Sequence, residues 1–224
     1  MKRAIVTGGS GLIGREICAH LLRDGWEVAS FDLKKDGLGV QIYCDLSNEE
    51  SVKEAFNELN WDHLDLLVNN GGLVFETFSQ LGEATLDQWN STIGSHLTGA
   101  FMMSRAAQPL LRDGGSIIMM ASTRALMSEG IDFSYAAAKG GMLALAQALA
   151  VQLGPKIRIN TIAPGWITGE TDLRNVDNAQ HPVGRVGRPA DIAEAVIYLA
   201  SAGFVTGETL VVDGGMTKKM IYAE

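Results

Sequence analysis

A tyrosine and a lysine stand four residues apart at residues 134–141, SYAAAKGG, with only alanines between them. Alanine favours helix, so Tyr135 and Lys139 are expected on one helix face, with Cβ atoms about 5–6 Å apart. A neighbouring ammonium favours the ionised form of a phenol. The pair therefore predicts a tyrosine whose pKa moves toward neutrality and which acts as a general acid/base. The alternative is a tyrosine packed over an ordinary lysine stem.

A serine hydroxyl is predicted to join this pair. Ser122 closes a predicted strand thirteen residues before Tyr135, and ligands of parallel α/β sheets bind at the carboxyl ends of strands. We therefore expect Ser122 to meet Tyr135 and Lys139 across the intervening loop. Arg124, two residues later, can bind a carboxylate or phosphate; the alternative is a surface arginine.

A glycine-rich turn, TGGSGLIG at residues 7–14, follows the first predicted strand and opens a helix. Glycines let backbone N–H groups approach a pyrophosphate, whose charge the helix N-terminus stabilises. Asp32, at the end of the second predicted strand, can accept hydrogen bonds from a ribose 2′-hydroxyl and repels a 2′-phosphate. NAD is therefore expected over NADP, although Lys34 and Lys35 lie close enough to weaken this preference.

The elements around these residues follow a repeating pattern of short apolar runs, bounded by glycine, and longer helical stretches. This pattern is typical of a parallel sheet covered on both faces. The predicted fold class is α/β, a single doubly wound Rossmann-type domain over residues 1–224. Its seven strands are predicted at residues 4–8, 27–33, 40–46, 64–70, 116–122, 157–163 and 209–215.

The helices are predicted to begin near Leu12, Asn48, Leu86, Tyr135 and Ala190. Two starts show the capping-box pattern, Ser47 with Glu50 and Thr85 with Gln88. Pro189 is placed like a first-turn proline.

The composition narrows the classes of partner. The formal net charge is -8 and the 18 basic residues are scattered, so no nucleic acid is expected. No run approaches membrane-spanning length and no signal peptide is recognisable, which predicts a cytoplasmic protein without a membrane partner. Cys18 and Cys44 are expected as free thiols. His20, His63 and His181 form no spaced cluster, so no metal is expected.

The helix after Tyr135 continues as GGMLALAQALAVQLG, apolar almost all the way round. A helix of this kind is buried on every side. We expect a partner subunit to cover its outer face, in a homodimer or homotetramer; the alternative is a helix sunk in its own core.

Six ordered motifs together resemble the short-chain dehydrogenase/reductase family in its compact form. They are the turn at residues 7–14, NNGG at 69–72, Ser122 with YAAAK, INTIAPGWI at 159–167, GRPADIAEAVIYLAS at 187–201 and VTGETLVVDGG at 205–215. The resemblance implies hydride transfer between a nicotinamide and a small alcohol or carbonyl substrate. A short polar stretch from Ile167 to Gly184 stands where relatives carry a substrate lid.

The resemblance also implies roles for single residues. Tyr135 would pass the proton, Lys139 would hold the nicotinamide ribose and lower the tyrosine pKa, and Ser122 would orient the substrate oxygen. Thr168 stands one place earlier than the family's threonine. The implied cofactor contacts are Gly8, Ser10, Gly11, Leu12, Ile13, Gly14, Asp32, Leu33, Asp45, Leu46, Asn69, Asn70, Gly71, Tyr135, Lys139, Pro164, Gly165, Ile167 and Thr168.

Two positions depart from the family pattern. Gly8, Gly11 and Gly14 follow the spacing of extended members such as nucleotide-sugar epimerases. His96 stands where the fourth catalytic residue, an asparagine, is expected. One hypothesis is that His96 relays protons with an imidazole titrating near neutrality; the other is a tolerated substitution, with the relay water held by the backbone carbonyl. Gly94 and Gly99 are expected to permit a local kink.

Other functions compatible with the sequence are an NADPH-dependent biosynthetic carbonyl reductase of the 3-oxoacyl type, a non-catalytic NAD-binding regulator, and an extended-type epimerase or dehydratase.

Overall fold

Seven parallel strands form one sheet in this computed structural model, which describes residues 1–73 and 80–220. The strands are β1 Arg3–Thr7, β2 Glu27–Asp32, β3 Val40–Tyr43, β4 Leu64–Asn69, β5 Leu111–Met120, β6 Ile157–Pro164 and β7 Thr209–Val212. Their spatial order is β3-β2-β1-β4-β5-β6-β7. The order reverses between β1 and β4, and ligands bind at the carboxyl edge beside such a reversal. The predicted α/β fold with a seven-stranded parallel sheet is confirmed.

Helices cover both faces of the sheet. They are α1 Leu12–Arg23, α2 Glu49–Leu59, α3 Leu86–Ile93, α4 Gly99–Ala107, α5 Phe133–Leu153, α6 Asn175–Ala179 and α7 Pro189–Ser201. Neighbouring residues of a strand point to opposite faces, so Ile5 packs in the core beneath α2, α4 and α5, whereas Ala4 and Val6 pack beneath α1 and α7. Both faces of the sheet are therefore apolar.

Several predicted element ends are confirmed and others are wrong. Thr85 with Gln88 forms a capping box, and Pro189 is the first residue of α7. The capping box predicted at Ser47 is wrong, because Asn48 is the N-cap and its Oδ1 accepts the Glu50 and Ser51 N–H groups. β3 and β7 end earlier than predicted, since the Asp45 and Asp213 carboxylates accept backbone N–H groups and turn the chain.

The crossover from β2 to β3 has no helix. Only residues 33–39 join these two parallel strands, whereas such crossovers usually take a dozen or more residues. A Cβ on Gly37 would lie 2.0 Å from Ser30 Oγ, so the loop lies directly against the sheet. Ser10 Oγ donates to Lys34 O at 3.0 Å, and Arg15 Nη2 donates to Asp36 O at 2.8 Å. The crossover is thereby tied to the glycine-rich turn and to α1.

The long apolar helix α5 is buried on one side only. Ala138, Met142 and Ala146 face the core, while Val151 on the outer face is 86% exposed. The expectation that no run approaches membrane-spanning length is wrong, since α5 is long and apolar enough to cross a membrane. Its inner face nevertheless packs on the sheet of its own domain.

Candidate active site

The end of β5 and the first turns of α5 bring Ser122, Tyr135 and Lys139 together. Ser122 caps the short 3₁₀ turn Thr123–Ala125, and its Oγ accepts the Arg124 N–H at 3.2 Å. Lys139 Nζ donates to Met120 O at 2.7 Å and lies 5.4 Å from the centroid of the Tyr135 ring. A hydroxyl, a phenol and an amine thus converge at the carboxyl end of a central strand.

The pKa of Tyr135 does not move toward neutrality in this structure, so that expectation is wrong. Burial raises the pKa of Tyr135 above its ordinary value, and the charge of Asp132 raises it further. The Ser122 hydroxyl and the charge of Arg124 lower the pKa, but by less than burial raises it. The Lys139 Nζ lies over the face of the Tyr135 ring and donates to Met120 O.

Lys139 itself is buried, with 3% of its surface exposed. Burial lowers its pKa to about 7, because removal from water penalises the ammonium form. The amine can therefore gain or lose a proton near neutral pH, one helical turn from the tyrosine.

The backbone of the glycine-rich turn, residues 7–14, forms a cradle that leaves no room for side chains at Gly8 and Gly14. Gly8 has φ +64°, and a Cβ on Gly14 would lie 2.1 Å from Gly8 O. The Gly11 N–H donates to Gly8 O at 3.0 Å. Asn70 Nδ2 donates to Thr7 O at 3.0 Å, which holds the turn against β4.

The N-terminus of α1 is open to a ligand. Gly11 is the N-cap and supplies no side-chain hydrogen bond, so the helix begins at Leu12 and Ile13 without a capping group. Uncapped N–H groups at a helix start bind anions. The cradle and this helix start fit the pyrophosphate of a dinucleotide.

A cavity beside the cradle is lined by predicted cofactor residues. Asp32 Oδ2 accepts the Ser10 N–H at 3.0 Å, and Oδ1 accepts the Lys34 N–H at 3.1 Å. These contacts hold the carboxylate at the cavity wall. The lining residues are Gly8, Phe31, Asp32, Leu33, Cys44, Asp45, Leu46, Gly71, Gly72, Leu73 and Ser95. Sequence reasoning missed Phe31, Cys44, Gly72, Leu73 and Ser95, although the first two adjoin predicted residues at strand ends.

Asn69 is placed away from this cavity. Its side chain is buried and donates to Ser104 Oγ at 3.0 Å and to Met119 Sδ at 3.3 Å. These bonds join β4 to α4 and β5. The Asn69 side chain therefore supports the site from below.

The end of β6 reaches the same edge of the sheet. After Pro164, the Gly165 N–H donates to Val212 O at 3.0 Å; beyond Ile167, the Thr168 N–H donates to Gly187 O at 3.0 Å. A Cβ on the following Gly169 would lie 3.1 Å from Leu12 Cδ1. The segment after β6 thus lies against Leu12 at the N-terminus of α1.

His96 lies in a π-helical turn, Gly94–Thr98, between α3 and α4. This turn confirms the expected local irregularity. The buried imidazole donates through Nε2 to Leu73 O at 3.0 Å, which fixes the tautomer, and its ring centroid lies 5.3 Å from that of Tyr135. A Cβ on Gly72 would lie 2.0 Å from the ring, so the imidazole packs directly on this backbone.

The hypothesis that the His96 imidazole titrates near neutrality is wrong. Burial and the nearby Lys139 charge lower its pKa to about 3, against the opposing effect of the hydrogen bond to Leu73. The imidazole is therefore neutral at physiological pH, and it links the loop after β4 to the π-helical turn.

The cysteines and the remaining histidines do not form a second reactive centre. Cys18 and Cys44 are free and buried, and burial raises the pKa of each thiol to about 12. Thiols with such pKa values are poor nucleophiles. Within residues 1–73 and 80–220, no cluster of histidine, cysteine and carboxylate side chains is suited to holding a metal ion.

Comparison with known proteins gives matches over nearly the whole chain. A family model described as enoyl-(acyl carrier protein) reductase matches residues 10–217. An uncharacterized oxidoreductase of Thermotoga maritima is 40% identical, with 100% of this chain and 98% of the relative covered. A 3-oxoacyl-[acyl-carrier-protein] reductase of Chlamydia pneumoniae is 34% identical, with 96% and 97% covered.

A solved structure also resembles this fold. An apo SCOR enzyme from Clostridium thermocellum superposes with a TM-score of 0.89 at 37% identity, covering 99% of this chain and 96% of that one.

Substitution of Gly14 by alanine is expected to weaken NADH binding at least about tenfold, because the new Cβ collides with the backbone oxygen of Gly8. The measurement is a fluorescence titration with NADH. Gly203→Ala, whose Cβ would have no neighbour within 4 Å, is the matched control. Equal affinities in the two variants would contradict the cradle.

Substitution of His96 by asparagine is expected to leave the midpoints of the pH–rate profile unchanged, because the imidazole stays neutral across the working pH range. The measurement is kcat/KM from pH 5 to 9 for the wild type and His96→Asn. Loss of a limb near pH 6–7 (about the ordinary histidine pKa) would restore the proton-relay hypothesis.

Proposed function

This chain belongs to the short-chain dehydrogenase/reductase family, and from that premise we propose that it transfers hydride between NAD(H) and a small alcohol or carbonyl substrate. It is an oxidoreductase of a family that acts on CH–OH or carbonyl groups. The observation that carries the proposal is the convergence of Ser122, Tyr135 and Lys139 at the end of β5, on the edge where the glycine cradle also lies.

Ser122, Tyr135 and Lys139 each have a different role in the proposed proton transfer. The Ser122 hydroxyl accepts the Arg124 N–H, which leaves its own proton available to the Tyr135 oxygen or to a substrate oxygen. In oxidation the ionised form of Tyr135 would take the alcohol proton, and in reduction the neutral phenol would donate its proton to the carbonyl oxygen. Lys139, with a pKa near 7, exchanges protons close to the tyrosine. A nicotinamide cofactor, when bound in the cradle, supplies the two-electron acceptor or donor.

Charge at the adenosine end supports a preference for NAD. Asp32 faces the cavity with both carboxylate oxygens held by backbone N–H groups, and it would repel a 2′-phosphate. Lys35 is paired with Glu58 at 3.0 Å, and Arg15 lies 3.6 Å from Asp36. Two nearby cations are therefore already partly neutralised by acidic partners.

A biosynthetic carbonyl reductase that uses NADPH is the second candidate. It is favoured by the 34% identity to the Chlamydia pneumoniae 3-oxoacyl-[acyl-carrier-protein] reductase. A non-catalytic NAD-binding regulator is disfavoured by the intact Ser122, Tyr135 and Lys139. An extended-type epimerase is disfavoured because the compact relatives match over 97–98% of their own length.

The outer faces of α4 and α5 support a homo-oligomer of two or four copies. A cytoplasmic location stays a prediction. Phe101 is 43% exposed, and a groove between the two helices is lined by Phe101, Ser104, Arg105, Gln108, Leu149, Gln152 and Leu153. Burying this apolar surface against a second copy would remove it from water.

Titration with NADH and with NADPH, followed by energy transfer from the four tryptophans, tests the cofactor preference. We expect tighter binding of NADH by the wild type. In Asp32→Ala the preference should shift toward NADPH by about tenfold or more, because the repelling charge is gone. Asp24→Ala, at the exposed end of α1, is the control. Tighter NADPH binding by the wild type would favour the biosynthetic reductase.

Substitution of Tyr135 by phenylalanine is expected to lower kcat by about a hundredfold or more, the usual contribution of a general acid/base, while NADH binding is retained. Initial rates with NAD and a panel of small alcohols, hydroxy acids and polyols measure this effect. Unchanged activity in Tyr135→Phe would show that another group transfers the proton.

A further inference from the structure

The segment that follows β6 pairs with the segment that leads into α7. The Gly187 N–H donates to Trp166 O at 3.1 Å, and the Thr168 N–H donates to Gly187 O at 3.0 Å. Ile167 and Gly187 thus form a parallel bridge. A Cβ on Gly187 would lie 2.4 Å from Ile167 Cδ1, so the two segments are in direct contact. Residues 169–184, here called the lid segment, therefore form a loop whose two ends are joined at its base.

The returning end of the lid segment is also tied to helix α7. Arg185 Nη1 and Nη2 donate to Asp191 Oδ2 and Oδ1, both at 2.7 Å. Asp191 Oδ2 also accepts the N–H of Arg188, the N-cap of α7, at 2.7 Å. Two parallel bonds hold a guanidinium in one orientation, and this is the geometry in which a partly exposed ion pair contributes to stability. We call Arg185 and Asp191 the latch.

The latch connects the bridge to the core of the domain. Asp191 lies in the first turn of α7, and the next residues of this helix, including Ile192 and Val196, are buried in the core together with α1. A close-packed helix of this kind does not shift without disturbing its neighbours. Arg185 precedes Gly187 by two residues, so its bonds to Asp191 restrict where the backbone of Gly187 can lie.

The bridge lies toward the end of the proposed cofactor groove that is opposite to Asp32. The cavity at Asp32 lies at the ends of β2 and β3, and the cradle follows β1. In the sheet, β6 stands on the other side of β1 from β2. The segment after β6 meets the start of α1, since a Cβ on Gly169 would lie 3.1 Å from Leu12 Cδ1. A dinucleotide with its adenosine near Asp32 and its pyrophosphate in the cradle therefore extends its nicotinamide half toward this segment.

The contacts of Arg185 do not fit direct binding of a substrate anion. Both terminal nitrogens are engaged with the carboxylate of Asp191, and Nη1 also donates to Val186 O at 3.2 Å. The pair of parallel donors that favours arginine for carboxylates and phosphates is therefore already used. Any effect of Arg185 on a ligand passes through the backbone that it holds.

We propose that Arg185 and Asp191 are positioning residues for the nicotinamide half of the cofactor. The latch holds Gly187 against Trp166 and Thr168, and this bridge sets where the segment after β6 lies beside the start of α1. The inference rests on the proposed function for the identity of the ligand. The link from the latch to the bridge concerns the free protein, and it can be tested without any cofactor.

Hydrogen–deuterium exchange of the free protein tests this link. The reporter is the Thr168 amide, read by mass spectrometry in peptides that contain neither latch residue. In Arg185→Met its exchange should become about three- to fivefold faster, the share of a well-formed exposed ion pair in the free energy of local opening. Lys53→Met, which removes an exposed ion pair with Glu50 on α2, is the matched control and should leave Thr168 unchanged. Equal exchange in Arg185→Met and the wild type would overturn the proposal.

Calorimetric titration with NADH and with ADP-ribose tests the effect on the ligand. ADP-ribose carries the adenosine and the pyrophosphate but lacks the nicotinamide. Arg185→Met should bind NADH about three- to fivefold more weakly and ADP-ribose within about twofold of the wild type. Equal losses for both ligands would indicate general destabilisation and would overturn the positioning role, because a structural defect does not select the nicotinamide half.

A second variant tests whether the two latch residues act as a pair. Asp191→Asn keeps the size of the side chain and an oxygen that can accept the Arg188 N–H, so the start of α7 is preserved. It should weaken NADH binding as much as Arg185→Met does, and the double variant should be no weaker than either single variant. Additive losses would show that the two residues act separately and would overturn the latch.

Failure of the proposed function would be recognised separately. A wild type that binds neither NADH nor NADPH would count against the dinucleotide site itself. The exchange of Thr168 in Arg185→Met would still decide whether the latch holds the bridge.

Discussion

The hydrogen bond from Lys139 Nζ to Met120 O, 2.7 Å long, joins the helix that carries the tyrosine to the central strand that leads to the serine. An ammonium with so little exposed surface must find an acceptor inside the protein. The carbonyl of Met120 provides it two residues before Ser122. The position of α5 against the sheet, and with it the position of Tyr135 above β5, is therefore tied to the hydrogen bond of this buried amine.

The loop after β4 connects the proposed cofactor groove with the tyrosine. Gly71 and Gly72 line the cavity at the adenosine end, while His96 packs on Gly72, donates to Leu73 O and meets the Tyr135 ring. The neutral imidazole thus spans the distance between the groove and the tyrosine. In this arrangement His96 fills the space without bringing a charge that titrates near pH 7.

Sequence patterns predicted what depends on local periodicity and on backbone requirements. Short apolar runs bounded by glycine predicted the seven strands. The glycines at residues 8, 11 and 14 predicted the cradle, and backbone contacts leave no room for a Cβ at Gly8 and Gly14. The patterns failed where long-range packing decides. The inward turn of Asn69 depends on Ser104 and Met119, which are far away along the chain. The raised pKa of Tyr135 depends on burial, which no spacing of residues reveals.

The helix-free crossover between β2 and β3 makes the edge of the sheet part of the proposed cofactor site. Residues 33–39 are held by Ser10 and Arg15, and Asp32 and Leu33 line the cavity. Strand β3 is short and lies at the rim of the sheet, so its local opening costs less than that of the inner strands. A dinucleotide that tightens the glycine-rich turn would also tighten this loop. Its binding free energy would then add to the free energy of opening of the rim strand. Occupancy of the groove and protection of the rim strand against transient unfolding are therefore thermodynamically linked.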